Sequence, residues 1–268
     1  AYQVTYKNEK ITFIDTPGHA AFTNMRARGA QITDIVIIIV AADDGIMPQT
    51  KEAIDHAKAA EVPIIVAINK IDKEGINLER IMTELGEYGL MSDQWGGDTL
   101  YSNISALNGT GIDELLENIL LIAEMNSYKA NPNRYAMGTV IEARLDKNLG
   151  PVATLLVQSG TLRLGDPVVV GTTYGKVRSL KNELNHEVDE ATPSQPVSIT
   201  GLNETPIAGD RFMSFEKEKE ARSIWEKRKE KCRDKACDMQ TATTLDEVFA
   251  KIKSGVKEIK VLIKCDMQ

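Results

Sequence analysis

Val62-Pro63-Ile64-Ile65-Val66-Ala67-Ile68 runs directly into Asn69-Lys70-Ile71-Asp72. A short, unbroken apolar run rich in β-branched residues reads as a strand buried on both faces. Open α/β sheets bind ligands beyond the carboxyl ends of their strands, and there this run presents Asn-Lys-x-Asp. Guanine offers N1–H and N2–H₂ as adjacent donors, and the two oxygens of Asp72 can accept both, whereas adenine lacks that pair. Asn69 carries an acceptor and donors, enough to bond a base and also tie neighbouring loops, and the stem of Lys70 can cover the flat face of a base. The plainer alternative is a surface turn of polar residues. A site that pairs these groups discriminates strongly, because the wrong base leaves polar groups unpaired at about 1–3 kcal/mol each.

A second motif follows another short β-rich run, Ile11-Thr12-Phe13-Ile14, within a strand expected over 10–15. Read as a buried parallel strand, it places Asp15-Thr16-Pro17-Gly18-His19 at its carboxyl end. Asp15 can hold Mg²⁺, directly or through water, Pro17 fixes one backbone angle, and Gly18 lets a backbone N–H approach a terminal phosphate. His19 is then placed beside an attacking water. The alternative is an ordinary turn, since Asp, Pro and Gly are turn residues.

A third strand, expected over 99–104, is followed by Ser105-Ala106-Leu107 and the Gly109-Thr110-Gly111 turn. Small residues there let backbone N–H groups reach a base carbonyl. The turn opens like a dinucleotide-binding Gly-x-Gly-x-x-Gly, but position 114 is Glu and the third glycine is missing. Asp113 begins an amphipathic helix with Leu115, Leu116, Ile119, Leu120, Ile122 and Ala123 on its apolar face.

Strands expected near 3–6, 10–15, 35–41, 62–68 and 99–104 alternate with helices near 20–30, 49–60, 78–88 and 112–125. That alternation implies a βαβ sheet covered by helices on both faces. After Asn131-Pro132-Asn133 the pattern changes to short β-rich runs at 138–145, 152–158, 167–171, 175–180, 197–202 and 210–215, as in a small closed barrel. Residues 216–235 carry 15 charged side chains in 20 and read as a solvated helix. Its thin stripe of Ala221, Ile224 and Trp225 either docks lightly on the barrel or a partner, or belongs to an exposed connector. Thr243 to Phe249 begins a short helix.

The net charge of −7 argues against indiscriminate nucleic-acid binding, so contact with RNA has to use local patches. At 42% hydrophobic residues the chain can build real cores, and its longest apolar run, Ile35 to Ala42, is too short to span a membrane. Cys232, Cys237 and Cys265 leave an odd thiol and no neighbouring histidine, a pattern of reduced cysteines rather than a metal site. His56 and His186 read as structural or exposed. Arg26 and Arg28, in the helix after His19, read as facing the barrel or an external surface, with neutralisation of phosphoryl charge as the alternative.

Taken in order, Asp-Thr-Pro-Gly-His, Asn-Lys-x-Asp and Ser-Ala-x, each after a strand, resemble the translational GTPases. The likeness is tightest to their initiation-factor branch, over residues 13–31, over Ala41-Ala42-Asp43-Asp44-Gly45-Ile46-Met47-Pro48-Gln49-Thr50 and over Gly150-Pro151-Val152-Ala153-Thr154. The resemblance implies a GTPase of the phosphate-loop type followed by the translation-factor β-barrel, with GTP, GDP and Mg²⁺ as ligands. It implies that His19 positions the hydrolytic water and that Asp15 supports Mg²⁺. It also implies a cytoplasmic monomer that meets the small ribosomal subunit through the barrel and the large subunit through the GTPase domain. Initiator tRNA is bound, by the same resemblance, through domains absent from these residues. The family's Ser-Ala-Lys has Leu107 in its third place here.

No Gly-x-x-x-x-Gly-Lys-[Ser/Thr] run occurs in these residues. Ala1 to Tyr6 resembles the strand after the family's switch I, and Glu258 to Gln268 resembles the opening strand of a further domain. The expectation is therefore an internal fragment: a partial GTPase domain over 1–128, a barrel over 135–215, a helical linker over 216–255 and the first strand of a next domain over 256–268. Expected function is that of the GTP-binding core of an initiation factor; the alternatives are a nucleotide-free ribosome-binding scaffold or another translational GTPase such as an elongation factor.

Overall fold

The computed structural model describes residues 1–17 and 22–241, with side chains through residue 230. Its contacts fall into two units, Ile14–Lys129 and Ala1–Phe13 together with the described chain from Ala130.

The chain begins as a hairpin of β1 (Tyr2–Tyr6) and β2 (Glu9–Phe13), paired antiparallel from Tyr2↔Phe13 to Tyr6↔Glu9. The expected parallel strand over 10–15 is thus an antiparallel one that stops at Phe13 and, among the described residues, pairs with β1 in a two-stranded sheet. The reason is local. Lys7 and Asn8 both take positive φ, 48° and 67°, the backbone of a two-residue hairpin turn whose twist matches its strands. β2 is half-buried rather than enclosed on both faces.

The unit Ile14–Lys129 contains α1 (Thr23–Ile32), β3 (Val36–Ala41), α2 (Pro48–Ala59), β4 (Ile64–Asn69), α3 (Leu78–Glu87), β5 (Leu100–Asn103) and α4 (Ile112–Met125). The three strands form a parallel sheet in the order β3-β4-β5, in register from Val36↔Ile64 to Ala41↔Asn69 and from Ile65↔Leu100 to Ile68↔Asn103. β4 is central, and Ile65, Val66, Ala67 and Ile68 are wholly buried, which is why its sequence runs apolar without alternation. Val66 and Ile68 join a core with Ile38, Val40, Ile54 of α2 and Ile81, Met82 and Leu85 of α3. The opposite face meets α4, where Leu115, Ile119 and Ile122 are buried, so helices cover both faces of this sheet as the alternation implied. Pro48 opens α2, and the Asn77 side chain accepts Arg80 N–H at 3.0 Å to cap α3. Gly111 begins α4 at φ 75°, where a Cβ would lie 2.1 Å from the Asn103 carbonyl, so glycine is required for the helix to leave the sheet so closely.

From Met137 the chain is β: β6 (Met137–Asp146), β7 (Gly150–Ser159), β8 (Leu162–Arg163), β9 (Pro167–Val170), β10 (Thr173–Lys181), β11 (Glu190–Ala191), β12 (Pro196–Leu202) and β13 (Arg211–Ser214). Six of them close an antiparallel barrel in the order β10-β12-β7-β6-β13-β9, and these are the six expected runs. Closure leaves no free edge, and the interior is filled by Val140, Leu155, Val157, Val170, Leu180, Val197, Ile199 and Phe212. The two-residue β8 and β11 pair with each other outside the barrel and carry no periodicity that sequence could show.

Helix α5 (Glu218–Thr241) is charged as expected, but its stripe is docked. Ala221 is fully buried, the Trp225 ring lies 4.6 Å from that of Tyr174, and Trp225 Nε1 donates to the Thr172 carbonyl at 2.7 Å. The exposed-connector reading is therefore corrected in this first stretch: three apolar residues at helical spacing suffice when one is an indole with a carbonyl in reach. The side chains of Cys232 and Cys237, the helix at 243–249, Cys265 and the strand at 256–268 lie outside the described residues.

Candidate functional site

Asn69 ends β4 and Ser105 lies two residues beyond β5, so two adjacent parallel strands deliver two of the expected segments to one sheet edge. Backbone bonds extend the pairing past the strand ends, from Ile104 N–H to Ile68 O at 2.8 Å and from Ile71 N–H to Ile104 O at 3.3 Å. The Asn69 carboxamide oxygen accepts two backbone donors, Lys70 N–H at 2.7 Å and Ala106 N–H at 3.0 Å. Ser105 Oγ donates to Asp72 Oδ1 in a short bond and accepts Asn108 N–H at 3.3 Å, while Ser105 N–H binds the Thr110 carbonyl at 2.9 Å. Ser105 is almost wholly buried, and Leu107 is 85% exposed.

These bonds decide which groups remain for a ligand. Among the described residues Asp72 Oδ2 and Asn69 Nδ2 take part in no hydrogen bond, nor does the N–H of Leu107. One acceptor and two donors are therefore presented at the carboxyl end of the sheet. The N–H of Ala106, one of the expected base-facing donors, is used here to join the two loops.

Lys70 takes positive φ, 67°, which turns its side chain out of the line of β4. Its ammonium reaches the loop after β3, 2.8 Å from Asp43 Oδ1 and 3.2 Å from Asp44 Oδ2, and Lys73 also bonds Asp43. Hydrogen bonds from Lys70 and Lys73 hold the Asp43 carboxyl down to about 2, and the same contacts raise Lys70. Asp43 and Asp44 were not singled out as site residues in the sequence. They follow the carboxyl end of β3 as Lys70 follows that of β4, and that position was the available signal.

Asp15, Thr16 and Pro17 form an irregular segment after β2; Asp15 and Pro17 are exposed and Thr16 is half-buried. Thr16 packs its methyl where a Cβ on Gly29 of α1 would come within 3.1 Å, and the Pro17 carbonyl accepts Arg26 Nη1 at 2.9 Å. Gly18 and His19 lie outside the described residues. Asp15 engages no protein donor among the described residues, and an exposed hard carboxylate of this kind suits Mg²⁺, which takes one or two carboxylates alongside substrate phosphate.

The two other expected roles resolve differently. Arg26 is 8% exposed, and its Nη2 pairs with Glu52 Oε1 of α2 at 2.7 Å. His56 Nε2 lies 3.4 Å from the same Glu52 oxygen on the same helix face, and His186 is exposed in a barrel loop.

The profile of the elongation factor Tu GTP binding domain matches residues 1–125, and that of elongation factor G domain 2 matches residues 135–215. Over its whole length the chain is 64% identical to translation initiation factor IF-2 of Anoxybacillus flavithermus and 62% identical to that of Geobacillus kaustophilus, spanning 37% and 38% of those proteins. Among solved structures, GDP-bound aIF5B from Aeropyrum pernix is 25% identical with a TM-score of 0.69, over 84% of this chain and 46% of that one. Elongation factor SelB of Methanococcus maripaludis with the GTP analogue GPPNHP is 27% identical with a TM-score of 0.61, over 80% and 48%. The chain belongs to the translational GTPase family, and within it to the translation initiation factor IF-2 branch.

Proposed function

We propose that the edge formed by Asn69, Lys70, Asp72, Ser105, Ala106 and Leu107 reads a guanine base, in a protein that binds and hydrolyses GTP during translation initiation. The supporting observation is the division of labour within the two polar side chains. Asn69 Oδ1 and Asp72 Oδ1 brace the loops, which leaves Asp72 Oδ2 to accept N1–H and N2–H₂ and Asn69 Nδ2 to donate to N7 or O6. The Leu107 N–H is a further donor for O6. Adenine inverts the pattern at its exocyclic position and leaves Asp72 facing no donor.

Asp15, Thr16, Pro17 and Gly18 serve as the γ-phosphate sensor and His19 as the group that orients the attacking water. Asp15 would hold Mg²⁺ through water, and the ion would supply charge neutralisation at the phosphates. Residues 1–128 act as part of the GTPase domain, 135–215 as the barrel and 216–255 as a linker. The relatives' name and both domain profiles support contact with the ribosome; our reading puts this contact in the cytoplasm, with the barrel on the small subunit and the GTPase domain on the large one. Initiator tRNA is a further partner in this reading, met through none of the elements described above.

The test is a nucleotide competition on the full-length protein against fluorescent GDP. Guanosine nucleotides should displace it, inosine nucleotides, which lack the N2 donors, should do so less well, and adenosine nucleotides should fail. Equal displacement by ATP would remove the base assignment. Release of phosphate from GTP on addition of ribosomes tests the remainder.

A further inference from the structure

Arg26 is the most deeply buried cation among the described residues of the Ile14–Lys129 unit, and its contacts have a direction. It sits on α1, one helical turn before Gly29, so two successive turns of the helix hold the Thr16-Pro17 segment. Gly29 gives room to the Thr16 methyl, and Arg26 Nη1 donates to the Pro17 carbonyl at 2.9 Å. The other end of the same guanidinium donates through Nη2 to Glu52 Oε1 at 2.7 Å. Glu52 lies in the first half of α2, the helix that leads from the Asp43-Asp44 loop back to β4. Hydrogen bonds from Thr23 and Arg26 hold the Glu52 carboxyl below its ordinary range, so it stays ionised at neutral pH. A planar guanidinium suits this geometry, because its fork reaches two acceptors on different elements at once, whereas an ammonium is a point charge. With Nη1 and Nη2 so engaged, the head group is committed to the protein rather than to a phosphoryl group.

We infer that Arg26 and Glu52 form a positioning clasp that pre-sets Thr16-Pro17 against α1 and α2, and that this clasp favours binding of a nucleoside triphosphate over a diphosphate. The inference rests on the reading of Asp15–Gly18 as a γ-phosphate sensor. A diphosphate has no γ-phosphate and does not feel where that segment lies. A triphosphate does, and a segment held in place loses less freedom when it is contacted. An anchor acting on one end of the segment is therefore coupled to affinity for the ligand at the other.

The experiment measures affinities of the full-length protein for GDP and for a non-hydrolysable GTP analogue in the variants Arg26→Met, Arg26→Lys, Glu52→Gln and Asp15→Asn. Arg26→Met and Glu52→Gln are expected to weaken the triphosphate analogue about fivefold to tenfold and leave GDP within about twofold, the range of a modest coupling energy. Arg26→Lys, which retains the charge but not the fork, should fall between wild type and Arg26→Met. Glu52 is partly exposed, so Glu52→Gln carries the test even if a change at the buried Arg26 disturbs folding. Equal weakening of both nucleotides, or a gain in triphosphate affinity, would overturn the clasp. If Asp15→Asn shifts the triphosphate-to-diphosphate ratio and the clasp variants do not, the sensor stands and the clasp falls. If none of the four shifts the ratio, the sensor reading falls and takes the clasp with it.

Discussion

The carboxamide oxygen of Asn69 accepts the backbone N–H of Ala106 at 3.0 Å, joining loops separated by 37 residues. Through this bond the strand that brings Asp72 and the strand that brings Ser105 become one surface rather than two adjacent turns. The same oxygen also binds Lys70 N–H, so a single side chain sets both the path of its own loop and the place of the next.

Asn69→Ala should therefore act on the site through its frame. Removing two acceptor bonds to backbone donors costs about 1–3 kcal/mol in total if each is worth its usual net amount. Guanine nucleotide affinity should drop about tenfold or more by that reckoning, with the loss seen for GDP and GTP alike. A fall in GTP affinity alone, in titration calorimetry, would place Asn69 near the phosphates instead.

Asp72→Asn changes the donor pattern rather than the frame, because an amide can still meet the Ser105 hydroxyl. Hydrogen bonds to a charged group are worth about 1.5–3 kcal/mol, so affinity for GTP should fall about tenfold to hundredfold. Xanthosine nucleotides, which accept where guanine donates, should gain correspondingly. Unchanged guanine preference in the variant would take Asp72 out of the base site.

Tyr101 gives a test of the parallel sheet by pH. Its hydroxyl is buried and donates to the Leu90 carbonyl at 2.7 Å, and burial pushes the phenol up to about 12. A raised value favours the neutral phenol in the folded state, so its contribution is complete below the unfolded value of about 10 and is lost as pH rises towards 12. Ultraviolet titration should show one tyrosine ionising after the exposed ones, and Tyr101→Phe should abolish that late step. The same variant should cost about 1 kcal/mol at neutral pH, read from urea unfolding.

Trp225→Phe keeps most of the apolar contact with Tyr174 but removes the donor to the Thr172 carbonyl. A loss of about 1 kcal/mol in the barrel's unfolding transition is expected, and Trp225→Ala should lose about 2–3 kcal/mol and release the start of α5. No change in stability with either variant, followed by circular dichroism, would mean that the helix stands without the barrel.

Much of this was legible in the chain itself. The apolar run into Asn69 announced a central parallel strand because β4 is enclosed on both faces, and burial of that kind leaves no room for polar alternation. The six barrel strands were legible because their turns carry glycine, proline and asparagine at regular spacing. The antiparallel pairing of β1 and β2 is not legible in this way, since the turn between them is built from Lys7 and Asn8 rather than from a glycine.

Sequence alone determined which residue types stand at the strand ends, because that follows from periodicity and from the chemistry of each side chain. Only the tertiary structure decided how those side chains divide their oxygens and nitrogens between loop and ligand. It sent Lys70 to Asp43, gave Asn69 its bond to Ala106, and buried Arg26 between Pro17 and Glu52. These bonds join residues 9 to 37 positions apart in the chain, and a bond of that kind forms only where packed strands and helices bring both partners within about 3 Å.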